Sequence, residues 1–468
     1  MEITAENENR GQRDKYFWIL AILAALILLA PIRVGDLAGY DDASYAHMAK
    51  EIVKTGDWIN IRSNGYPALE HPPLLAWMEA SLFHVFGRSD PTAKLPSALC
   101  GLGTVLLVYW LGRRLLGEWH AVLAMLAMAG SVYFIKYAAR AMTDVPFTFF
   151  FLCGICSWLL TRSDPRWYLA AGAFTGLALI TRGLMGLGLP VIFAVDLLIT
   201  HRRPRLLYSA AALALAFLPL SAWYAYMIST HGSEFFSTHM AWLDREVYGG
   251  LSPAWRRYTG LPEYAWMLTK SYWPWLPAMI FGLVTVIRNR DRQMAILIIW
   301  VAVVFALCGI TRSRVLRYML PAYPAFAILA SIGILRLFTE AQTRKVMRVL
   351  IPVLAVGVIS IAIFPPVRLH AAVVRPIATA ATSATSPNER VGFYDEGQPR
   401  FDETNQMQWY GDRYLFILLT PGELEHSLSA RQARVYVVDS GTYKSRFESR
   451  IPHQIIATSG HLVCLRLT

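Results

Sequence analysis

Two adjacent carboxylates, Asp41 and Asp42, stand in "GYDDASYAHMAKEIVKTGDW", directly after the first long apolar run of the chain. One aspartate is enough to cap a helix; a second beside it is redundant as a cap and repels the first. The pair therefore fits either a solvated helix start or a group that does chemistry. Further on, "LEHPPLLAWM" supplies Glu70 and His71 before Pro72 and Pro73. Glu70 is of a type that ligates metal or hydrogen-bonds a substrate, and His71 of a type that donates to a phosphate. Three basic stretches complete the set: "KYAARAMTD" with Arg140 and Asp144, "ITRGLMG" with Arg182, and "TRSRVLRY" with Arg312, Arg314, Arg317 and Tyr318. Arginine offers phosphate oxygens a planar fork that is always charged. Any one of these arginines could instead snorkel to lipid phosphates. Three such clusters opposite one acidic loop fit a phosphate-handling site better.

The elements that must hold these residues are membrane helices. Of 468 residues, 55% are hydrophobic and 16% charged, and the apolar residues fall in blocks of spanning length. Blocks at 16–34, 92–111, 119–138, 144–161, 167–181, 184–200, 206–228, 272–288, 293–310, 318–337 and 349–365 predict a polytopic α-helical membrane protein with about 11 spans. The first block lacks a small-x-small cleavage site and reads as a retained span. With the N-terminus cytoplasmic, the inner loops carry Arg113 and Arg114, Arg162 and Arg166, Arg202, Arg203 and Arg205, Arg288, Arg290 and Arg292, then Arg336, Arg344, Lys345 and Arg348. Every short loop on that side is basic, as the positive-inside rule requires. Topology thus accounts for the net charge of +12, and no nucleic-acid partner is needed. The five cysteines show neither a disulfide framework nor a metal-ligand spacing.

The opposite side receives the long loops 35–91 and 229–271, the C-terminal segment and the three basic clusters. Residues 41–58 predict an amphipathic helix too short to span, lying in the interface, and Pro72-Pro73 opens a second one. Residues 1–365 form the membrane domain on this reading, and 366–468 a small extracytoplasmic α/β domain. Its strands are expected in "RVGFYD", "ARVYVVD" and "HLVCLRLT", with one or two short helices in "DRYLFILLTPGELEHSLSA".

Four of these stretches, in this order, resemble the glycosyltransferase-C superfamily, in the branch of the lipid A aminoarabinose transferases and the protein O-mannosyltransferases. They are "YDDASYAHMAKEIVKTGDW", "LEHPPLLAWM", "AARAMTDVPFTFF" and "SRVLRYMLPAYPAFAI", and the resemblance covers most of residues 15–340. It implies that Asp41, with Asp42 the alternative, is the catalytic base toward the acceptor. Asp144 would be a second acidic position that orients the acceptor or holds a divalent metal, with Glu70 a further metal ligand. Tyr45, His71, Arg140, Arg182, Arg314, Arg317 and Tyr318 would bind substrate or phosphate. The aminoarabinose transferases carry Lys before the Pro-Pro pair where this chain has His71, so the resemblance carries fold and reaction class and leaves the sugar open.

The expected reaction moves a sugar from a polyprenyl-phosphate donor to a lipid, polymer or protein acceptor, with inversion, at the outer face of a bacterial inner membrane. Arginine or metal would stabilise the departing phosphate, and an aspartate would take the acceptor's proton. A flippase that moves the lipid-linked sugar without reacting it is the rival reading. Transporters tend to show internal repeats and midplane charges, whereas here the ionisable residues gather at one face.

Overall fold

The computed structural model describes residues 2–39, 41–244, 260–311, 315–364, 369–396, 401–448 and 451–468. Six helical segments among them are long and apolar enough to cross a bilayer: Lys15–Arg33, Asp90–Leu116, Trp167–Thr200, Leu206–Leu243, Leu316–Leu337 and Glu340–Ile363. Glu118–Ala129 and Val132–Ala138, bent by 63°, make a seventh if the pair is one span. Every apolar block of the sequence is helical, but those at 144–161, 272–288 and 293–310 yield helices of only 17, 14 and 16 residues. The blocks at 167–181 and 184–200 are joined through a break at Gly183, whose φ of +57° suits only glycine without strain. Arg182 is the last residue before that break.

Small residues let the membrane helices approach closely. A Cβ added at Gly282 would lie 1.9 Å from the Leu329 carbonyl oxygen, and one at Gly333 would lie 1.9 Å from that of Ala278. The helices Leu276–Asn289 and Tyr323–Leu337 thus touch backbone to backbone, which only glycine allows.

The first loop expected on the outer side forms two helices, Asp41–Thr55 and Leu74–Phe86, joined through a hairpin of strands β1 (Arg62–Ser63) and β2 (Tyr66–Pro67). Asn64 and Gly65 turn the hairpin with φ of +56° and +81°, the left-handed pair that a tight antiparallel turn needs.

The C-terminal region is a five-stranded sheet with helices Val374–Ser383, Phe401–Tyr410 and Pro421–Ser429. Its strands are β3 (Val391–Tyr394), β4 (Leu415–Leu418), β5 (Val435–Asp439), β6 (His453–Ser459) and β7 (Leu462–Leu467), in the order β4-β3-β5-β7-β6. β3 runs parallel to β4 and β5, while β7 is antiparallel to β5 and β6. The three expected strands are β3, β5 and β7. The expected helical stretch 412–430 is corrected in its first half: "LFIL" is strand β4, and only Pro421–Ser429 is helix, opened by a Thr420–Glu423 capping box. A short apolar run does not reveal by periodicity whether it is strand or helix.

This sheet region is clamped onto the first outer loop. Asn64 donates to the Leu415 carbonyl at 3.0 Å and accepts from its N–H at 2.7 Å, so the hairpin turn pairs with edge strand β4. Arg375 reaches Asp36 at 3.0 Å and Asp90 at 3.5 Å, and Trp409 donates to Asp90 at 2.7 Å. Lys50, buried in the first outer helix, donates to the Gln408 and Gly411 carbonyls at 2.8 and 2.5 Å, a cation at the C-terminal end of helix Phe401–Tyr410. The helix that roofs the hollow described next is held from below.

Candidate active site

Asp41 and Asp42 open the first outer helix. Neighbours on a helix point about 100° apart, so the two carboxylates face different surroundings. Asp41 keeps 22% of its side chain exposed and Asp42 only 3%. This difference separates the two candidates that the sequence left together.

Asp41 faces a chain of charge. Its Oδ2 lies 2.8 Å from Arg317 Nη2, and Arg317 Nε lies 3.8 Å from Asp144 Oδ1. That Nε makes no hydrogen bond among the described residues, which leaves a buried donor directed at the site. Asp144, buried at the first turn of Asp144–Leu160, is also hydrogen-bonded by Arg182. The Arg182 guanidinium lies 4.4 Å above the centre of the Tyr318 ring, and that of Arg317 5.8 Å from it. Arg182 and Arg317, distant in sequence, thus meet on one carboxylate and one tyrosine. Tyr45, one turn into the outer helix, hydrogen-bonds to Thr143. Burial, then the Asp41 charge, holds its phenol well above its ordinary range. His71 packs against the Tyr45 ring at 5.5 Å and edge-on against Trp242 at 5.5 Å. Arg314 lies outside the described residues.

Asp42 points inward. Its Oδ2 accepts from Arg140 Nε at 3.1 Å and from the Ala38 N–H at 3.3 Å, while its Oδ1 is buried without a hydrogen bond. Burial outweighs the Arg140 charge and, with Asp41 adding to it, pushes the Asp42 carboxyl up to about 6. Beneath it lies Glu79 of the second outer helix, fully buried with neither oxygen hydrogen-bonded. Burial first, and the Asp42 charge second, hold Glu79 well above the usual carboxylate range. Sequence reading passed over Glu79, although it is the one acidic residue in the largely apolar helix "LLAWMEASLFHVF".

A hollow of about 440 Å³ opens over Asp41, Asp42, Arg140 and Arg317, roofed by Asp402, Glu403 and Gln406 and by His370 and His461. Among the described residues, no three His, Cys, Asp or Glu side chains gather as a metal would require. Asp144 in particular has two guanidinium groups where a metal ion would sit, so it does not fit as a metal ligand in this arrangement. His239 is held by the Tyr224 hydroxyl at 2.6 Å and the Leu69 carbonyl at 3.1 Å, and His231 by Asn60 at 2.9 Å.

Known proteins resemble this chain along most of its length. The family description of dolichyl-phosphate-mannose-protein mannosyltransferases matches residues 70–243. An uncharacterized protein of Aquifex aeolicus is 27% identical over 319 residues, which are 67% of this chain and 63% of that protein. The undecaprenyl phosphate-alpha-4-amino-4-deoxy-L-arabinose arabinosyl transferase of Edwardsiella ictaluri is 26% identical over 339 residues, 69% of this chain and 60% of the relative. The match therefore spans about three fifths of these curated relatives. Among solved structures, ArnT from Cupriavidus metallidurans bound to undecaprenyl phosphate superposes with a TM-score of 0.75 at 19% identity, covering 96% of this chain and 97% of that one.

Proposed function

Since the chain has the glycosyltransferase-C fold and resembles the aminoarabinose transferases and protein mannosyltransferases, we propose that it is an inverting glycosyltransferase. It takes a sugar from a polyprenyl-phosphate donor and delivers it to an acceptor such as lipid A. The observation that carries this reading is the Asp41–Arg317–Asp144–Arg182 chain beside an open hollow. It pairs a solvent-reachable carboxylate with cations suited to a leaving phosphate, and a flippase needs no such base.

In the proposed reaction the acceptor oxygen attacks the anomeric carbon as the bond to the donor phosphate breaks. The electron pair leaves on the phosphate oxygen, and the acceptor's proton goes to Asp41. Arg317 is shared between Asp41 and Asp144; an arriving donor phosphate is a third anionic partner, and drawing Arg317 toward it frees the Asp41 carboxylate. Arg182, braced on Asp144 and Tyr318, adds a second fixed charge whose reorganisation costs little. Asp144 then orients these cations.

The chain is read as lying in a bacterial inner membrane with 11 spans, the shorter helices included, its N-terminus cytoplasmic and its sheet domain extracytoplasmic. The positive-inside pattern supports this orientation. The pentose named for the Edwardsiella relative makes an undecaprenyl-phosphate-linked aminopentose the first donor to try. The test is release of polyprenyl phosphate from a panel of such donors by purified protein with membrane extract as acceptor. Release by wild type that vanishes in Asp41→Asn is expected. A folded wild type that binds every donor and cleaves none would overturn the reading.

A further inference from the structure

A second hollow, of about 890 Å³, opens between the far end of the first outer helix and the sheet region. Five basic side chains line it, Lys50, Lys54, Arg88, Arg390 and Arg413, against a single carboxylate, Asp412. Three of the five are committed to holding the fold. Lys50 caps the roof helix, Arg88 clasps Asp412 at 2.8 and 3.4 Å, and Arg413 donates to the Thr385 carbonyl at 2.7 Å. The other two have only neutral hydrogen-bond partners. Lys54 donates to the Tyr414 hydroxyl at 3.3 Å and lies 4.3 Å over the same ring. Arg390 donates to the Tyr66 hydroxyl at 3.0 Å, with its guanidinium 5.3, 5.8 and 5.1 Å from the Tyr66, Tyr414 and Phe416 rings. Among the described residues neither lies within ion-pair distance of a carboxylate. A guanidinium braced by rings gives up little entropy when an anion binds its N–H edge. Tyr414, on the wall of the hollow, is an aromatic ring of the kind that sugar rings pack on.

We propose that this hollow binds a phosphorylated saccharide headgroup of the acceptor, its phosphate between Lys54 and Arg390 and its sugar against Tyr414. The inference rests on the transferase reading above. The helix that carries Asp41 at its start carries Lys50 and Lys54 further along, roughly 14 to 20 Å away at 1.5 Å per residue. A phosphorylated oligosaccharide spans such a distance and a single sugar does not, so one headgroup can reach both hollows.

The test titrates a phosphorylated disaccharide lipid, and the same lipid after phosphatase treatment, against the full-length wild type and a Lys54→Ala/Arg390→Ala variant in detergent. Wild type should bind the phosphorylated form about tenfold more tightly, and the double variant should lose that preference. Should the double variant aggregate, Lys54→Gln alone decides, with about a threefold loss expected. Equal binding of both lipids by wild type, or an unchanged preference in the variant, overturns the proposal. So does an equal loss of binding to phosphatidylglycerol vesicles, because the hollow would then read bilayer charge and no saccharide. Donor cleavage with membrane extract as acceptor is recorded in parallel. Phosphate-selective binding without cleavage of any donor would sink the transferase reading and leave this binding site standing.

Discussion

Asp41 and Asp42 are neighbours in sequence and opposites in environment. Asp41 sits in an open chain of alternating charge, half-facing a hollow, with Arg317 shared between it and Asp144. Asp42 borders the same hollow but is almost wholly buried, with one arginine, one orphaned oxygen and the buried Glu79 beneath. The first arrangement keeps a carboxylate reachable and ready to exchange partners. The second holds a carboxyl where ionisation is costly. A single helical step thus sets a solvent-reachable carboxylate beside a buried one.

The largest effect expected is on the base. Asp41→Asn should lower transfer by about 10³, in the range of a positioned general base, while Asp42→Asn should stay within about tenfold of wild type. Polyprenyl-phosphate release at saturating donor measures both. Equal losses in the two variants would erase the division drawn here.

The arginines sharpen the same contrast. Arg317→Ala removes the cation shared between Asp41 and Asp144, and a loss of about 10² to 10³ in turnover is expected. Arg140→Ala leaves Asp42 buried without its partner, so it should lower the thermal midpoint in detergent and spare most of the turnover. A turnover loss for Arg140→Ala as deep as that for Arg317→Ala would place Arg140 on the donor phosphate.

The buried carboxyls make a prediction about pH. A carboxyl whose folded value is raised holds its proton more tightly in the native state, so its stabilisation is complete below the unfolded value of 3.8 and is lost as pH rises to about 6. At 1.36 kcal/mol per unit, Asp42 should cost about 3 kcal/mol across that window. Glu79 acts with the same sign, its loss continuing to higher pH. Thermal midpoints of wild type should fall from pH 4 to pH 6, and Asp42→Asn should flatten the fall. Glu79→Gln should raise the midpoint at neutral pH. A flat wild-type profile, or a fall left unchanged in Asp42→Asn, would mean that these carboxyls are hydrated.

Much of this was legible in the sequence. The apolar blocks are helices, the motifs at 41, 71, 140, 182 and 317 converge on the same region, and β3, β5 and β7 lie where alternation put them. The pairing was hidden. Arg140 stands four residues before Asp144 yet binds Asp42, and Asp144 is bonded by Arg182, 38 positions away. Such choices are set by helix packing, which no local pattern encodes. Glu79 escaped because a lone acid in an apolar helix is unremarkable until its neighbours are known to be dry. Strand β4 escaped because its edge is completed by Asn64, some 351 positions earlier.

The smallest effect tests how Arg182 is held. Its guanidinium rests on the Tyr318 face at 4.4 Å and on Asp144. A cation over a ring in a partly dry site is worth about 1 kcal/mol, or roughly fivefold. Tyr318→Phe keeps the ring and should leave turnover within about twofold, while Tyr318→Leu should lose about fivefold. If Phe is as damaging as Leu, the Tyr318 hydroxyl acts on the donor directly, and the open region would gain a further hydrogen-bond donor to the leaving phosphate. If both are silent, Asp144 alone fixes Arg182, and the ring serves the membrane core.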